Sequence, residues 1–232
     1  MFSTYILAGG KSSRFGSDKG RQLVDGLSLI ERCYRVFSSQ KPSQEPSQVF
    51  LVTGSEETYS DLQIPTIFDS IPNLGPVSGV ATALAHRESH GDCIKGKAGS
   101  DWCLIVTCDL LEWHQVWVDR LLEGMSTAMD IAVSVDLPQK SPKAACFYKQ
   151  DSTNCDSHRL FWDPFPGLYH RSALPESFRI RDSLRPSMQD LLNSPSMNSA
   201  AISQKDLPTI RTANTKEEFD QWLHSRHLKM KS

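Results

Sequence analysis

Apolar and polar positions in the first 135 residues alternate between short, fully apolar runs and segments with helical spacing. TYILAGG (4–10), VFLVTG (49–54), IPTIFDS (64–70) and WCLIVTCD (102–109) are of strand length and end in turn-forming residues, so they read as buried strands. Between the first two, Leu29, Ile30, Cys33, Val36 and Phe37 fall on one helical face. Val77, Val80, Ala81 and Leu84 do the same for a helix starting near Pro76. A helix near 114–124 and a strand near 129–135 follow. SSQKPSQEPSQ (38–48) and GDCIKGKAGSD (91–101) are polar connections.

From about 136 the pattern loosens. Two aromatic-rich runs within 136–170, separated by a polar turn region, read as a hairpin or a β-lobe over the sheet. Helices near 184–193 and 215–228 close the chain, the second with Thr215 as N-cap and Glu218 three residues on. Strands alternating with helices predict an α/β, Rossmann-like architecture: a mostly parallel sheet with helices on both faces, three layers in all, plus a small irregular β-lobe in the second half. The expected organisation is one domain, 1–232, in two halves, 1–135 and 136–232.

Composition narrows the function classes. With 39% hydrophobic and 22% charged residues, the chain matches an ordinary globular protein. A net charge of −2 gives no support for nucleic-acid binding or a polybasic membrane anchor. No apolar run approaches the roughly eighteen residues that would read as a membrane span, and no signal pattern opens the chain, so the expected compartment is the cytoplasm. The six cysteines (Cys33, Cys93, Cys103, Cys108, Cys146, Cys155) form no C-x-x-C pair and read as buried or incidental thiols.

YILAGGKSSRFGSDKGRQL (5–23) carries the chemistry. It is no Walker A loop, because the position five before Gly10 is Tyr5, and no G-x-G-x-x-G, because Gly9 and Gly10 are adjacent and the next glycine is Gly16. Glycines at a strand end let backbone N–H groups approach a base edge or phosphate oxygens. Arg14 and Lys19 add fixed charge, thickened by Lys11 and Arg21. The alternative is a glycine turn with solvated charges. Leu7, Thr53, Asp69 and Asp109 all fall at predicted strand C-termini, where open parallel sheets place ligands. The alternative for Asp109 alone is a helix N-cap, which its place beside the loop disfavours. His86 and His90 share a metal-like i, i+4 spacing, but with no third ligand nearby in sequence they read as a solvated helix end.

LAGGKSSRFGSDK resembles the L-A-G-G-x-S-x-R-x-G-x-D-K signature of the MobA-like nucleotidyltransferases, matching at Leu7, Ala8, Gly9, Gly10, Ser12, Arg14, Gly16, Asp18 and Lys19. IFDSIPNLGPVSGV (67–80) resembles that family's Asp-Ser and G-P-x-x-G segment, VTCDL (106–110) its metal-ligand strand end, and TANTKEEFDQW (212–222) its C-terminal I-N-T-P-E-D-L. The resemblance runs nearly end to end but is dense in the first third. It implies that Leu7, Ala8, Gly9, Gly10, Thr53, Asp69, Gly75 and Gly79 bind a guanine nucleotide. It also implies that Lys19 binds the phosphate chain and that Asp109 holds Mg²⁺. Arg14, Lys19 and Asp109 form the expected catalytic set.

FPGLYHR (165–171) resembles the family's H-P-L-x-G-L-Y-R, with Phe165 for the histidine. This makes Tyr169, His170, Arg171, Arg185 and Asn214 candidates for the acceptor; Trp162 and Phe165 either face its ring or belong to the core. Leu110-Leu111 after Asp109, Thr53 for an asparagine and Lys216 for a proline depart from the pattern.

The activity the resemblance implies is transfer of GMP from GTP to molybdopterin with release of pyrophosphate. The first half would bind nucleotide and the second the acceptor, and the partners would be proteins of molybdenum cofactor biosynthesis and molybdoenzyme maturation. LAGG rather than LAAG favours guanine over cytosine. The competing readings are a same-fold transferase using CTP or a sugar phosphate, and a non-catalytic GTP-binding delivery protein.

Overall fold

A computed structural model of the 232-residue chain describes residues 2–9, 15–39, 48–55, 58–69, 71, 74–90, 101–134, 141–149 and 160–229. The first half contains β1 (Ser3–Leu7), β2 (Leu23–Val24), β3 (Leu27–Ser28), α1 (Leu29–Ser39), β4 (Val49–Thr53), β5 (Thr66–Phe68), α2 (Pro76–His90), β6 (Trp102–Thr107) and α3 (Gln115–Ser134). The second contains β7 (Ala144–Lys149), β8 (Phe161–His170), α4 (Leu174–Arg181), α5 (Met188–Leu192), β9 (Ala200–Ser203) and α6 (Lys216–Lys229).

Seven strands form one sheet in the order β5-β4-β1-β6-β8-β7-β9. Only β8 opposes its neighbours; every other pair is parallel. Along each central strand the side chains alternate between two cores. Tyr5, Leu7, Cys103 and Ile105 join Val77, Val80 and Leu84 of α2 and the buried faces of α4 and α5. Ile6, Leu104 and Val106 join Ile30, Cys33 and Phe37 of α1 and Trp117, Val118 and Leu121 of α3. A strand covered on both faces has no polar side to show, which is why its sequence reads as an unbroken apolar run.

Four differences from the sequence-based expectation have local causes. The strand expected near 129–135 is the end of α3: nothing after Gly124 breaks the helix, and a short apolar run does not distinguish strand from buried helix by itself. The aromatic-rich runs do pair as β7 and β8, but β8 also pairs with β6, so they extend the main sheet instead of lying over it. The helix expected at 184–193 is the shorter α5, capped by Ser187, and α4 precedes it. The β2–β3 hairpin turns on Asp25 and Gly26, with φ of 54° and 80°. That Asp-Gly pair is a recognised hairpin signal that the apolar pattern overshadowed.

Gly79 sets how closely α2 approaches the central strand. A Cβ at that position would stand 3.0 Å from Leu7 Cδ2. Gly79→Val should therefore destabilise the protein by about 1–3 kcal/mol through overpacking, seen as a lower midpoint in urea unfolding. An unchanged midpoint would mean that Leu7 repacks at no cost.

Candidate active site

Parallel pairing carries three strand ends to one edge, and backbone hydrogen bonds extend the register beyond the strands. Ala8 N donates to Val52 O (2.9 Å), Cys108 N to Leu7 O (3.1 Å) and Asp69 N to Thr53 O (2.7 Å). Gly9, Asp69 and Asp109 are thereby brought to the same side of the sheet. A Cβ on Gly9 would meet nothing nearer than Gly54 N at 4.0 Å. Packing among the described residues does not require a glycine there, so the bare backbone is open to close approach.

The loop leaving β1 is described again from Phe15, which is buried against Phe219 of α6. It then makes a 3₁₀ turn at Lys19–Arg21 capped by Asp18, whose Oδ1 accepts from Gly20 N (2.9 Å). Arg21 turns outward: its guanidinium makes two bonds to Asp61 (2.9 and 2.7 Å) and one to the Thr58 carbonyl (2.7 Å). This pairing holds the exposed Asp61 carboxyl down at about 2, and it withdraws Arg21 from the expected positive patch.

Lys19 points the other way. Its Nζ lies 2.7 Å from Asp109 Oδ2, with both side chains about one-sixth exposed, and it also donates to the Ala213 carbonyl. Residues 19, 109 and 213 thus meet at one ammonium group. Asp109 Oδ1 is buried and has no hydrogen-bond partner among the described residues. An unsatisfied buried oxygen costs on the order of 1–3 kcal/mol, more when charged, and a bound cation would remove that cost. Among the described residues no three metal-binding side chains cluster. The single carboxylate of Asp109, with one oxygen not used by Lys19, is a donor that Mg²⁺ accepts, because that ion takes one or two carboxylates and fills its shell with water and phosphate oxygens.

The other expected residues divide into three groups. Asp69 stands at its strand end, where Oδ1 accepts from Ile71 N (3.1 Å), Ser78 Oγ (2.8 Å) and Thr82 Oγ1 (3.1 Å), closing the loop onto α2; Oδ2 carries none of these bonds. Gly75 occupies a left-handed backbone position, φ 76°, just before α2. Thr53 is buried and its hydroxyl is committed to the backbone of Ser55, both donating and accepting. Gly10 and Arg14, with Lys11, lie outside the described residues.

The acceptor candidates are scattered. Because β8 runs against β6, His170 pairs with Trp102 at the start of β6, and Arg171 bonds Asp101 through both backbone (2.8 Å) and side chain (3.2 Å). β6 is six residues long, so its whole length, roughly 17 Å at about 3.3 Å per residue, lies between these groups and the strand end that Asp109 follows. Tyr169 is fully buried, and its hydroxyl donates to the Pro164 carbonyl (2.9 Å). Trp162 is buried too. Arg185 is exposed between α4 and α5. Antiparallel pairing of β8 thus carries Tyr169 and Arg171 away from Asp109, and of the acceptor candidates Asn214 adjoins Ala213, whose carbonyl receives Lys19. The backbone N–H groups of Asn214 and Thr215 bond Glu218 Oε2, the capping arrangement expected for α6. His86 is no solvated helix end: its Nδ1 lies 3.1 Å from the Tyr5 hydroxyl, with its ring edge-on to Phe50. The side chain of His90 is outside the described set.

The doubly covered sheet, with a glycine-rich loop after its central strand and an aspartate at the end of the neighbouring strand, defines a Rossmann-like fold of the nucleotidyltransferase type. Residues 4–201 match the family model described as the MobA-like NTP transferase domain, and the chain belongs to that family. A protein from Bacillus cereus named "Probable molybdenum cofactor guanylyltransferase" is 29% identical over 151 residues, spanning 62% of this chain and 67% of that protein. The crystal structure of molybdopterin-guanine dinucleotide biosynthesis protein A from Archaeoglobus fulgidus superposes with a TM-score of 0.65 at 17% identity, covering 97% of this chain and 99% of that one. A CMP:2-keto-3-deoxy-manno-octonic acid synthetase complexed with CTP superposes with the same score at 13% identity, covering 98% of each chain. At these identities the two structures bear on fold alone.

Cys108, adjacent to Asp109, is held as a neutral thiol. Burial first, and the neighbouring Asp109 carboxylate second, push its thiol up to about 12; burial does the same for Cys103 and Cys146. At pH 8 the thiolate is then on the order of one part in 10⁴. In the unfolded chain these thiols ionise near 9, so stability should fall as pH rises from about 9 to 12, because the folded state holds protons that the unfolded state has lost. Native protein treated with iodoacetamide at pH 8 should leave all three unmodified by mass spectrometry. Rapid modification of Cys108 would overturn this assignment.

Proposed function

We propose that the protein transfers GMP from GTP to molybdopterin, releasing pyrophosphate and forming the guanine dinucleotide cofactor. The observation that carries this reading is the meeting of Lys19 and Asp109 at the sheet edge where β1 and β6 end, with Asp109 Oδ1 buried and without a hydrogen-bond partner among the described residues. The name of the Bacillus cereus relative supports the base and the acceptor, and the LAGG loop supports guanine.

In the proposed reaction a phosphate oxygen of the acceptor attacks the α-phosphorus. A new P–O–P bridge forms as the bond to the β-phosphate's bridging oxygen breaks, and pyrophosphate leaves with that electron pair. Charge grows on the α-phosphate oxygens and the leaving group, so positioning and charge stabilisation are what the protein has to supply. The backbone N–H groups after β1 hold the nucleotide. The Lys19 ammonium, with a hydrogen bond to redirect from Asp109 or the Ala213 carbonyl, offsets charge on the departing pyrophosphate. Arg14 is assigned the same task. Asp109 and phosphate oxygens would hold Mg²⁺, which supplies Lewis-acid polarisation of the phosphoryl group.

The test is pyrophosphate release with Mg²⁺ and molybdopterin, supplied with GTP, CTP, ATP or UTP in turn. Release should occur with GTP and fall about a hundredfold or more in Asp109→Asn and in Lys19→Ala. Release with CTP alone would keep the mechanism and overturn the base. GTP binding without release with molybdopterin would favour another acceptor, such as a sugar phosphate, or a delivery role without turnover.

A further inference from the structure

Lys19 reaches Asp109 only if the 3₁₀ turn that carries it is held at a fixed angle, and the segment between β4 and β5 supplies the hold. Tyr59 is 5% exposed, and its hydroxyl donates to Asp18 Oδ1 (2.8 Å), the same oxygen that caps Gly20 N (2.9 Å). Gly20 lies directly beneath: a Cβ there would be 2.8 Å from the Tyr59 hydroxyl and 2.6 Å from Ile30 Cδ1. The Arg21 guanidinium stacks 5.2 Å from the Tyr59 ring centroid while gripping Asp61 and the Thr58 carbonyl. Residues on both sides of Lys19 are therefore fastened to residues 58–61, and Lys19 itself is left to face Asp109.

We propose that Tyr59 is a positioning residue for Lys19, acting through Asp18. It touches neither Lys19 nor Asp109. Its hydroxyl fixes the carboxylate that shapes the turn, and its buried ring fixes the height at which Gly20 can pack. This assignment rests on the role given to Lys19 above, and its test separates the two.

Tyr59→Phe keeps the ring and removes the one donor. In the protein without nucleotide, acetylation of lysines by a water-soluble succinimidyl ester, read by mass spectrometry, reports how firmly each ammonium is held. Lys19 should be modified several-fold faster in Tyr59→Phe, with Lys216 and the other lysines unchanged and the melting temperature within a few degrees. Asp18→Ala, which removes the shared acceptor, should exceed it and serves if Tyr59→Phe folds poorly. Lys19 modified at the wild-type rate, or every lysine quickened equally, would overturn the proposal. In turnover, Tyr59→Phe should lower kcat on the order of tenfold, the scale of one hydrogen bond to a charged group, and should cost nothing further in a Lys19→Ala background. Equal losses in both backgrounds would assign Tyr59 a purely structural part. Labelling needs no substrate: a response there without GTP turnover would sink the proposed activity and leave Tyr59's role standing.

Discussion

β1 is flanked in parallel by β4 and β6, and that pairing governs everything at the site. Parallel register sends the ends of all three strands to one edge, so the residues that follow them converge without any special loop. The hydrogen bonds from Ala8, Cys108 and Asp69 continue the ladder one step past the strands, bringing distant stretches of chain within reach of one ligand. α2 can seat against β1 at that height because Gly79 presents no side chain to Leu7.

The second half of the chain completes the site from an unexpected direction. Its aromatic-rich strands extend the sheet, and their terminal arginine ends up beside Asp101. The contribution to the site comes from the segment before α6, whose Ala213 carbonyl receives Lys19. α6 is held there by a small third core in which Phe219 and Trp222 pack with Phe15, Val24, Leu29 and Leu111. Lys216 rests its ammonium over the Phe219 ring and bonds Gln22, reinforcing the same junction. Phe15 and Leu111 belong to the loops that carry Lys19 and Asp109, so docking of α6 and alignment of that pair depend on shared packing.

Charge is sorted rather than accumulated. A chain with net charge −2 has no general positive field to attract a triphosphate. Two of the signature's neighbouring charges are spent on holding the loop: Asp18 caps the turn and Arg21 pairs with Asp61. Such an exposed pair adds little stability by itself. Its value lies in directing backbone, which leaves Lys19 paired with Asp109.

Much of this was legible in the amino-acid sequence. Buried strands announce themselves as apolar runs, helices as one-faced spacing, and strand-end residues follow from both, so Leu7, Asp69 and Asp109 could be grouped before any coordinates. The signature around Lys19 rests on local chain chemistry, which sequence records directly. The direction of β8 could not be read, because its mix of buried and half-buried positions suits either direction and its pairing with β6 and β7 rests on contacts distant in sequence. That direction alone carries Tyr169 and Arg171 away from Asp109. Tyr59 was equally silent: one tyrosine in a polar connection gains meaning only when tertiary packing sets its hydroxyl against Asp18, forty-one residues earlier. The sequence by itself determined the elements and the chemistry each strand end carries; the tertiary structure determined which ends share an edge, because strand pairing depends on contacts between residues that the chain keeps far apart.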